Sequence, residues 1–526
     1  MNNETREKTT SVWSDTKIMS KFSALDHDLD VDVCIVGGGI AGLTAAYMLM
    51  NEGKKVCLLE AFELASGQSG QTSAHVSYVL GDRYFELEKY HGLQGVKLAV
   101  KSHRDAINRI TEIIDVESIR CDDKIVDGYL FARNDPQQDV LERELAAAKM
   151  AGLLGAKRVD SCPLPSFVTG PCLKFSGQLQ FHPLKYLGGL TGCIVQGGGL
   201  IFTNTRVHDV VEDGERASVK TDRGYQVTCG AVVVATNAPI NDRLAIHTKQ
   251  APYRTYAIGL EIPKGSVPQN LYWDTLDPYH YIRVQSEDEN DILIVGGEDH
   301  KTGQESQPTE RFTRLAAWAR ERFLFAGEIK YKWSGQVMES VDGLAFLGRN
   351  PGNENIYIIT GDSGNGLTHS TIGAMLITDQ IMGRKNEWED LYDPSRTVFR
   401  AYSRYIRENA NVAVQYESWL KEKPVPLLDE MPFGEGAVYR HGLQMVAAFK
   451  NEFGAIELMS AACTHLGGVV SWNAVEKSWD CPCHGARYNC HGQVIEGPAI
   501  DGLQKLDSKT VLPQEKNKNM IQLNGF

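Results

Sequence analysis

The sequence predicts an α/β domain of the Rossmann type with an α+β domain interleaved in it, followed by a small all-β domain. A glycine-rich turn joins a strand to a helix near residue 40, and residues 251–300 alternate like an antiparallel sheet. From residue 433 onward the pattern is one of short strands and turns. A chain of 526 residues is long enough for two or three such domains, each with a buried core.

Composition excludes several classes of function. The formal net charge of −13 argues against nucleic acid or an anionic membrane as a partner, because both require a basic surface. The chain contains no run of about 18 apolar residues, so no transmembrane segment is expected. The polar N-terminal stretch lacks the apolar core of a secretory signal, and the eleven cysteines are scattered. A cytoplasmic protein with reduced thiols is expected.

The first elements form a βαβ unit. Residues 1–30 are a polar lead-in, and residues 31–36 form an apolar run typical of a buried parallel strand. A helix is predicted over residues 40–52 and a second strand over residues 55–60.

The remaining elements follow from periodicity and from turn residues. After Gly383 the chain becomes charged and helical to about residue 422, and the proline-rich run Lys423–Pro426 with Met431-Pro432 predicts a linker. An all-β module of about ninety residues is expected after it. The other predicted elements are helices at 86–118, 139–152 and 367–382 and strands at 231–235 and 356–360.

The glycine-rich turn predicts a dinucleotide site. It reads Gly37-Gly38-Gly39-Ile40-Ala41-Gly42, and Glu60 ends the next strand eighteen residues later. The glycines allow a tight turn and close approach to a pyrophosphate, the helix N-terminus faces its charge, and Glu60 can accept from ribose hydroxyls. The alternative is a merely structural βα turn. This fingerprint occurs once. With a single nucleotide site, a bound FAD is favoured over NAD, because a flavin can divide an electron pair for the one-electron centre described below.

A second glycine-rich turn reads Gly361-Asp362-Ser363-Gly364-Asn365-Gly366 and joins a strand to a helix. Its backbone N–H groups can face the pyrimidine edge of a flavin, where reduction builds negative charge. Asp362 and Asn365 are also favoured simply as turn residues. The turn is therefore a second candidate FAD contact.

Two Cys–His pairs in the C-terminal module predict a Rieske centre. Cys463 and His465 are followed, after fifteen residues, by Cys481 and His484. In a Rieske 2Fe–2S centre two thiolates hold one iron and two imidazoles hold the other. Zinc also accepts cysteine and histidine, and the flanking glycine, proline and tyrosine residues favour the iron–sulfur interpretation over it. The histidine edge of the cluster is expected near the surface of the module.

These motifs resemble those of the D-amino-acid-oxidase-like superfamily of FAD enzymes. The resemblance covers roughly residues 30–385 and extends to the segments 65–70, 205–207 and 234–238. It implies an FAD-binding part at about 31–85, 170–250 and 335–385 and a substrate domain at about 86–169 and 251–334. It also implies cofactor contacts from Ser69, Val207, Ala235 and Thr236, and a flavin in reach of His75. His182 and His369 are expected to be structural.

The whole chain resembles bacterial FAD-dependent oxidoreductases with a C-terminal Rieske domain, and the expected division is a helical segment and linker at 386–432 and the Rieske domain at 433–526. It departs from the respiratory pattern at Gly468, where a cysteine would pair with Cys483. Cys483 is therefore expected to be a free buried thiol, with Cys490 as the other candidate partner. Ala486 replaces a hydroxyl that donates to a bridging sulfur, while Tyr488 is retained, so a potential below the respiratory type is expected.

The substrate is expected beneath the sheet at residues 251–300. Two stretches stand out there, Tyr253–Tyr256 and Tyr279–Arg283. Tyr281 and Arg283 share a strand face, where arginine suits a carboxylate and the aromatic ring keeps an amine dry. The alternative is an ordinary cross-strand pair.

The resemblance implies oxidation of a small amine, amino acid or N-methyl compound. Electrons would pass through the Rieske cluster to an external one-electron acceptor. One alternative is an NAD(P)H-linked reductase that feeds an oxygenase, although no second nucleotide-binding unit is visible. The other is a non-catalytic redox sensor whose cluster stabilises a small domain.

Overall fold

A computed structural model describes residues 10–14, 16, 19–132, 138–241, 245–305, 307–397, 399–420 and 428–507. The helices are α1 Ile40–Asn51, α2 Tyr84–Val116, α3 Gln138–Met150, α4 Pro183–Gln196, α5 Thr309–Arg322, α6 Gly366–Ile381, α7 Glu389–Tyr392 and α8 Tyr402–Gln415.

The strands are β1 Leu29–Val36, β2 Val56–Leu59, β3 His75–Val76, β4 Lys124–Phe131, β5 Lys157–Val159, β6 Cys172–Gln180, β7 Leu200–Phe202, β8 Val207–Asp213, β9 Arg216–Thr221, β10 Gln226–Val234, β11 Gln250–Pro263, β12 Leu271–Asp274, β13 His280–Ser286, β14 Asn290–Lys301, β15 Ile329–Ser340, β16 Phe346–Arg349, β17 Ile356–Thr360, β18 Glu435–His441, β19 Gln444–Lys450, β20 Ile456–Ser460, β21 Ser471–Asn473, β22 Ser478–Asp480, β23 Arg487–Asn489 and β24 Val494–Glu496.

The first sheet is the predicted nucleotide-binding sheet. Its order is β16-β17-β10-β1-β2-β7, and β1 pairs in parallel with β10 and with β2. The central strands are apolar runs rich in valine, which suits strands that are covered on both faces. Helices α1 and α6 pack together against it. Strand β1, helix α1 and strand β2 lie where the sequence predicts them.

The second sheet is mostly antiparallel, with the order β15-β11-β14-β13-β12-β4-β6-β3. It contains the alternating region predicted at residues 251–300, and α5 packs against β11 and β14. The predicted helix at 86–118 is α2, which is interrupted at Gly92, where φ is 67°. A bulge lies between β11 and β14 at Arg254–Tyr256, and it shifts the register of the two strands.

The C-terminal module consists of two small antiparallel sheets, β18-β19-β20 and β21-β22-β23-β24. The predicted small all-β fold is thus present. The Cys–His pairs lie in the loop after β20 and in the loop between β22 and β23. The proline-rich run at 423–426, predicted to be the linker, lies outside the described residues.

Two segments outside the sheets hold the parts of the molecule together. In the lead-in, Trp13 is fully buried and its Nε1 donates to the Thr72 carbonyl at 2.7 Å. After α8, the Tyr416 hydroxyl donates to the Leu466 carbonyl at 2.7 Å and Trp419 Nε1 donates to the Gly467 carbonyl at 3.0 Å. The helical segment before the Rieske domain therefore holds the first ligand loop. Across the described ranges, every helix is too short or too polar to span a bilayer.

Candidate functional site: a flavin cavity and an iron–sulfur loop pair

A cavity of about 1460 Å³ opens at the carboxyl ends of the parallel strands. Both glycine-rich turns line it, together with Ser69, Val207, Ala235 and Thr236. The segments of the cavity wall come from β1, β2, β10 and β17 and from one face of the second sheet. The structure thus brings the sequence-predicted cofactor residues to one place.

The first turn has no room for side chains. Gly37 has φ 112°, and a Cβ on it would lie 2.5 Å from the Ala235 carbonyl oxygen. A Cβ on Gly42 would lie 1.9 Å from the Gly37 carbonyl oxygen. Gly39 precedes α1, whose Ile40 amide donates to Ser69 Oγ at 2.9 Å. Close backbone packing at a helix N-terminus fits the pyrophosphate of FAD.

Glu60 lies at the end of β2, as the fingerprint requires. Its carboxylate accepts from the Gly38 amide at 2.6 Å and from the Phe62 amide at 2.9 Å. Burial raises the pKa of Glu60, while these amide bonds oppose that rise. The carboxylate is therefore held in place along the cavity wall, where a ribose would lie.

The second turn keeps its shape through its own side chains. Asp362 Oδ1 accepts from the Met338 amide at 3.3 Å, and Asn365 Oδ1 accepts from the Gly81 amide at 3.3 Å. Gly361 and Gly364 have φ values of 73° and 76°. Burial raises the pKa of Asp362 to about 6. All six residues of the turn except Gly361 line the cavity, and they lead into α6.

Tyr281 lies in the cavity wall, but Arg283 does not. The Arg283 guanidinium is 1% exposed and donates to the Ala74 carbonyl at 2.7 Å and to Gln285 Oε1 at 2.8 Å. It also lies over the Trp13 ring, 5.3 Å from its centroid. The structure therefore corrects the expectation for Arg283, which is a structural cation beneath the lead-in rather than a group facing a substrate.

The histidines near the cavity are held by the protein. His75 lines the cavity, its Nε2 lies 3.2 Å from the Ile282 carbonyl, and burial lowers its pKa to about 3. His182 caps α4 by accepting from the Lys185 amide. His369 Nδ1 lies 2.9 Å from the Asp362 carbonyl oxygen. These contacts agree with structural roles for His182 and His369.

Sequence reasoning missed two carboxylates in the cavity. Asp299 on β14 and Glu339 on β15 share the inner face of the second sheet with Tyr253 and Thr255 of β11. Burial raises the pKa of Asp299 to about 6 and raises that of Glu339 further above its usual range. No local motif marks either residue, because their positions depend on pairing between distant strands.

The four predicted cluster ligands meet between two loops. The rings of His465 and His484 lie 5.0 Å apart at 87°, and Cys463 and Cys481 are buried. The Tyr488 hydroxyl lies 3.1 Å from Cys463 Sγ. Among the described residues no three His, Cys, Asp or Glu side chains could hold one metal ion together.

Cys483 is buried, and no disulfide joins it to Cys490. A Cβ on Gly468 would lie 2.6 Å from Cys483 Sγ and 3.2 Å from Cys481 Sγ. Gly468 thus lets the two ligand loops approach closely without a covalent link between them.

The histidine edge of the cluster site is covered by the first part of the chain. His484 is 5% exposed, and the ring of His247 lies 4.9 Å from that of His465 and 5.9 Å from that of His484. The side-chain amide of Gln336 donates to the Gly485 carbonyl at 3.0 Å. The expected position of this edge near the surface holds only in part, because His484 is buried and His465 half-buried where the FAD domain packs against them.

A buried ion network joins the same two parts. Arg254 of β11 pairs with Glu476 at 2.6 Å and also contacts Ser334. Arg487 pairs with Glu476, with Asp480 at 2.8 Å and with Glu496 at 2.6 Å. Both guanidinium groups are almost completely buried. The Rieske domain is thus fixed to the outer face of the second sheet.

Comparisons with known proteins agree with both halves of the site. The family model for FAD dependent oxidoreductases matches residues 32–380, and the model for the Rieske [2Fe–2S] domain matches residues 421–507. The Rieske 2Fe-2S iron-sulfur protein YhfW of Bacillus subtilis is 31% identical over 95% of this chain and 98% of its own. Gamma-glutamylputrescine oxidoreductase of Escherichia coli is 26% identical over 69% of this chain and 86% of its own.

Solved structures support the fold of the first part. Glycine oxidase from Geobacillus kaustophilus superposes with a TM-score of 0.59 at 18% identity, covering 70% of this chain and all of that one. L-proline dehydrogenase from P. horikoshii gives 0.56 at 16% identity, covering 73% and 99%.

Proposed function

The chain belongs to the FAD dependent oxidoreductase family and carries a Rieske [2Fe–2S] domain, and we propose that it is a dehydrogenase for carbon–nitrogen bonds. Its substrate is an amine, an amino acid or an N-methyl compound. Electrons leave through the cluster to an external one-electron acceptor. The names of the relatives support this class, since they include an oxidoreductase for glutamylputrescine and an oxidase for glycine.

The proposed route of electrons rests on one observation: a single layer of strands, the second sheet, separates the cavity from the cluster site. Side chains on a strand alternate between its two faces. Tyr253 and Thr255 of β11 line the cavity, while Arg254 between them contacts the Rieske domain. On β15, both Gln336 and Val337 line the cavity, and the Gln336 side chain also reaches the loop of His484.

The bound FAD supplies an acceptor for the hydride of a C–H bond next to nitrogen. The residues of this chain hold the reactants and keep water out. Tyr281 and Trp273 provide apolar walls, and an amine is more easily kept neutral there than in water. Oxidation of this kind requires no obligatory base.

The cluster provides the route out of the cavity. A flavin accepts electrons in pairs, whereas a Rieske centre carries one at a time, so the pair divides within the molecule. Since the FAD domain covers His484 and packs His247 against both histidine ligands, the cluster is placed to receive electrons from inside the chain.

The test is anaerobic mixing of the purified protein with amino acids, polyamines and N-methyl amines. Flavin absorbance and the EPR signal of the reduced cluster are recorded. A compound that bleaches the flavin and then produces the Rieske signal supports the proposal. Reduction by NAD(P)H alone would indicate a reductase, and a cluster that never follows a bleached flavin would contradict the proposed route.

A further inference from the structure

The inner face of the second sheet carries more carboxyl groups than cationic side chains. Asp299 and Glu339 line it, and Asp82 lies beside them in the cavity wall. Each of the two arginines in this part of the wall is already engaged. Arg404 pairs with Asp82 at 3.0 Å and lies 3.7 Å from Glu339, and Arg83 donates to the Asp274 carbonyl at 3.1 Å. A substrate carboxylate would find no uncommitted cation among these groups.

Asp299 is the carboxylate of this face that has no ion-pair partner among the described residues. It lines the cavity and is only half-buried, so part of the carboxylate is open to a ligand. The nearby Arg311 favours the charged form of Asp299, but its guanidinium is engaged by Glu298 and Glu305. The hydroxyl groups of Thr255 and Tyr279 also favour the charged form. A carboxylate that loses its water to a bound ligand needs a cation or a donor to offset that desolvation.

Aromatic rings surround the approach to Asp299. The ring of His75 lies 5.9 Å from Trp273 and 5.3 Å from Tyr281, and the rings of Tyr279 and Tyr281 are 6.0 Å apart. Gly296 makes this arrangement possible, because a Cβ there would lie 2.1 Å from the Tyr281 ring. Aromatic faces attract ammonium groups and exclude water from them.

We propose that Asp299 binds a protonated nitrogen of the substrate that is not the nitrogen oxidised, so that the substrate is a diamine or a polyamine. This inference rests on the proposed function. A nitrogen paired with a carboxylate keeps its proton and has no lone pair to give, so a second, neutral nitrogen must react. Asp299 is then the residue that distinguishes a diamine from an α-amino acid.

The reaction balances with the groups named. The C–H bond next to the neutral nitrogen breaks, and its electron pair leaves with the hydrogen as hydride to the flavin. The lone pair of that nitrogen forms a C=N bond, and water adds to its carbon to release an aldehyde together with ammonia from a primary amine, or with an amine from a secondary one. The distal ammonium on Asp299 takes no part in these bond changes.

The experiment compares three four-carbon amines that differ only at the far end: putrescine, butylamine and γ-aminobutyrate, with the triamine spermidine as a longer polyamine. The FAD-loaded full chain is mixed with each of them anaerobically, and flavin bleaching is followed against concentration. Putrescine or spermidine should half-saturate at a concentration about 30-fold or more below that of butylamine, the factor expected for a buried charge pair. γ-Aminobutyrate should be the poorest of the four.

The substitution Asp299→Asn tests the residue, and Asp288→Asn on the exposed turn before β14 is its matched control. Asp299→Asn should raise the half-saturating concentration of the diamine by about 30-fold, leave its limiting rate unchanged and leave butylamine unaffected. The control should change nothing.

Two results would overturn the inference but leave the proposed function standing. One is that γ-aminobutyrate or an α-amino acid reduces the flavin at lower concentration than any diamine. The other is that Asp299→Asn lowers the limiting rate equally for putrescine and butylamine, which would make Asp299 a base. A flavin that none of the amines, amino acids or N-methyl compounds reduces would contradict the inference and the proposed function together.

Discussion

At Gly37, one added side chain is expected to prevent cofactor binding. Gly37 and Gly53 both have positive φ, but only Gly37 lies against another backbone, the Ala235 carbonyl. Gly37→Ala should yield protein without bound flavin, because its Cβ would push the turn away from the strand. Gly53→Ala carries the same backbone strain with nothing within 4 Å, and it should keep its flavin. The flavin absorbance per protein after purification measures the bound cofactor in both variants. A Gly37→Ala protein that keeps its flavin would contradict the assignment of this turn to the cofactor site.

Hydrogen bonds to the cluster sulfurs set its potential within the Rieske range of about −150 to +300 mV. Ala486 is fully buried next to the ligand loop and offers no hydroxyl, whereas the Tyr488 hydroxyl lies 3.1 Å from Cys463 Sγ. Ala486→Ser should therefore raise the potential and Tyr488→Phe should lower it. Protein-film voltammetry measures both. Shifts of the same sign in the two variants would refute this account of the potential.

The residues that the sequence could identify are those whose role depends on near neighbours. The Gly37–Gly42 turn and the Cys–His pairs are local patterns, and the structure brings each set together. Asp299 could not be predicted, because it follows Gly297 and Glu298, both with positive φ, at a bulge that breaks simple alternation. The strand face that Arg283 shares with Tyr281 predicts an arginine facing the substrate, but the segment at Ala74 and the lead-in Trp13 cover Arg283.

At the scale of elements, β15 connects the two redox sites. The Gln336 amide N–H donates to Gln68 on the cavity side at 2.6 Å, and the Gln336 side chain reaches the Gly485 carbonyl. Gln336→Leu should leave flavin reduction unchanged and slow cluster reduction, because the link to the loop of His484 is lost.

Gln444→Leu on the exposed start of β19 is the matched control for that prediction. Stopped-flow absorbance separates the two phases of reduction. Equal rates of cluster reduction in wild type, Gln336→Leu and Gln444→Leu would show that β15 has no part in the transfer.

The buried ion network around Arg254 also connects elements of the two domains. Removing one partner of a buried pair leaves the others uncompensated, so Arg254→Ala should cost about 3–5 kcal/mol of unfolding free energy. Urea unfolding followed by cluster absorbance measures the loss. Arg216→Ala removes a fully exposed pair with Asp30 and should change little. An Arg254→Ala protein as stable as the Arg216→Ala protein would mean that the network does not hold the domain.

Helices and strands were largely predictable because their apolar periodicity is a local property. The predicted strand at 356–360 is β17, and the predicted helix at 367–382 is α6. The burial of the outer faces of β11 and β15 was not predictable from the sequence. The Rieske domain covers these faces, and for β11 the contact comes from more than two hundred residues further along the chain. Burial of Arg254 is a consequence of that distant contact.

For the whole molecule, the Rieske domain is also part of the wall of the FAD cavity. Ile495 and Gly497 line the cavity, and Arg206 donates to the Val494 carbonyl at 3.0 Å. The guanidinium of Arg206 also lies over the Phe62 ring, 4.9 Å from its centroid. A ligand that binds only the folded arrangement stabilises it, so bound FAD and the docked Rieske domain should stabilise each other.

The central claim is that electrons pass from flavin to cluster within one molecule, across the second sheet. The most direct measurement is to photoreduce the flavin with a flash under anaerobic conditions and to follow the appearance of the reduced cluster at several protein concentrations. No substrate is needed. The account predicts a first-order rate that does not change with protein concentration. A rate that rises in proportion to concentration would mean that electrons pass between molecules, and it would contradict the account.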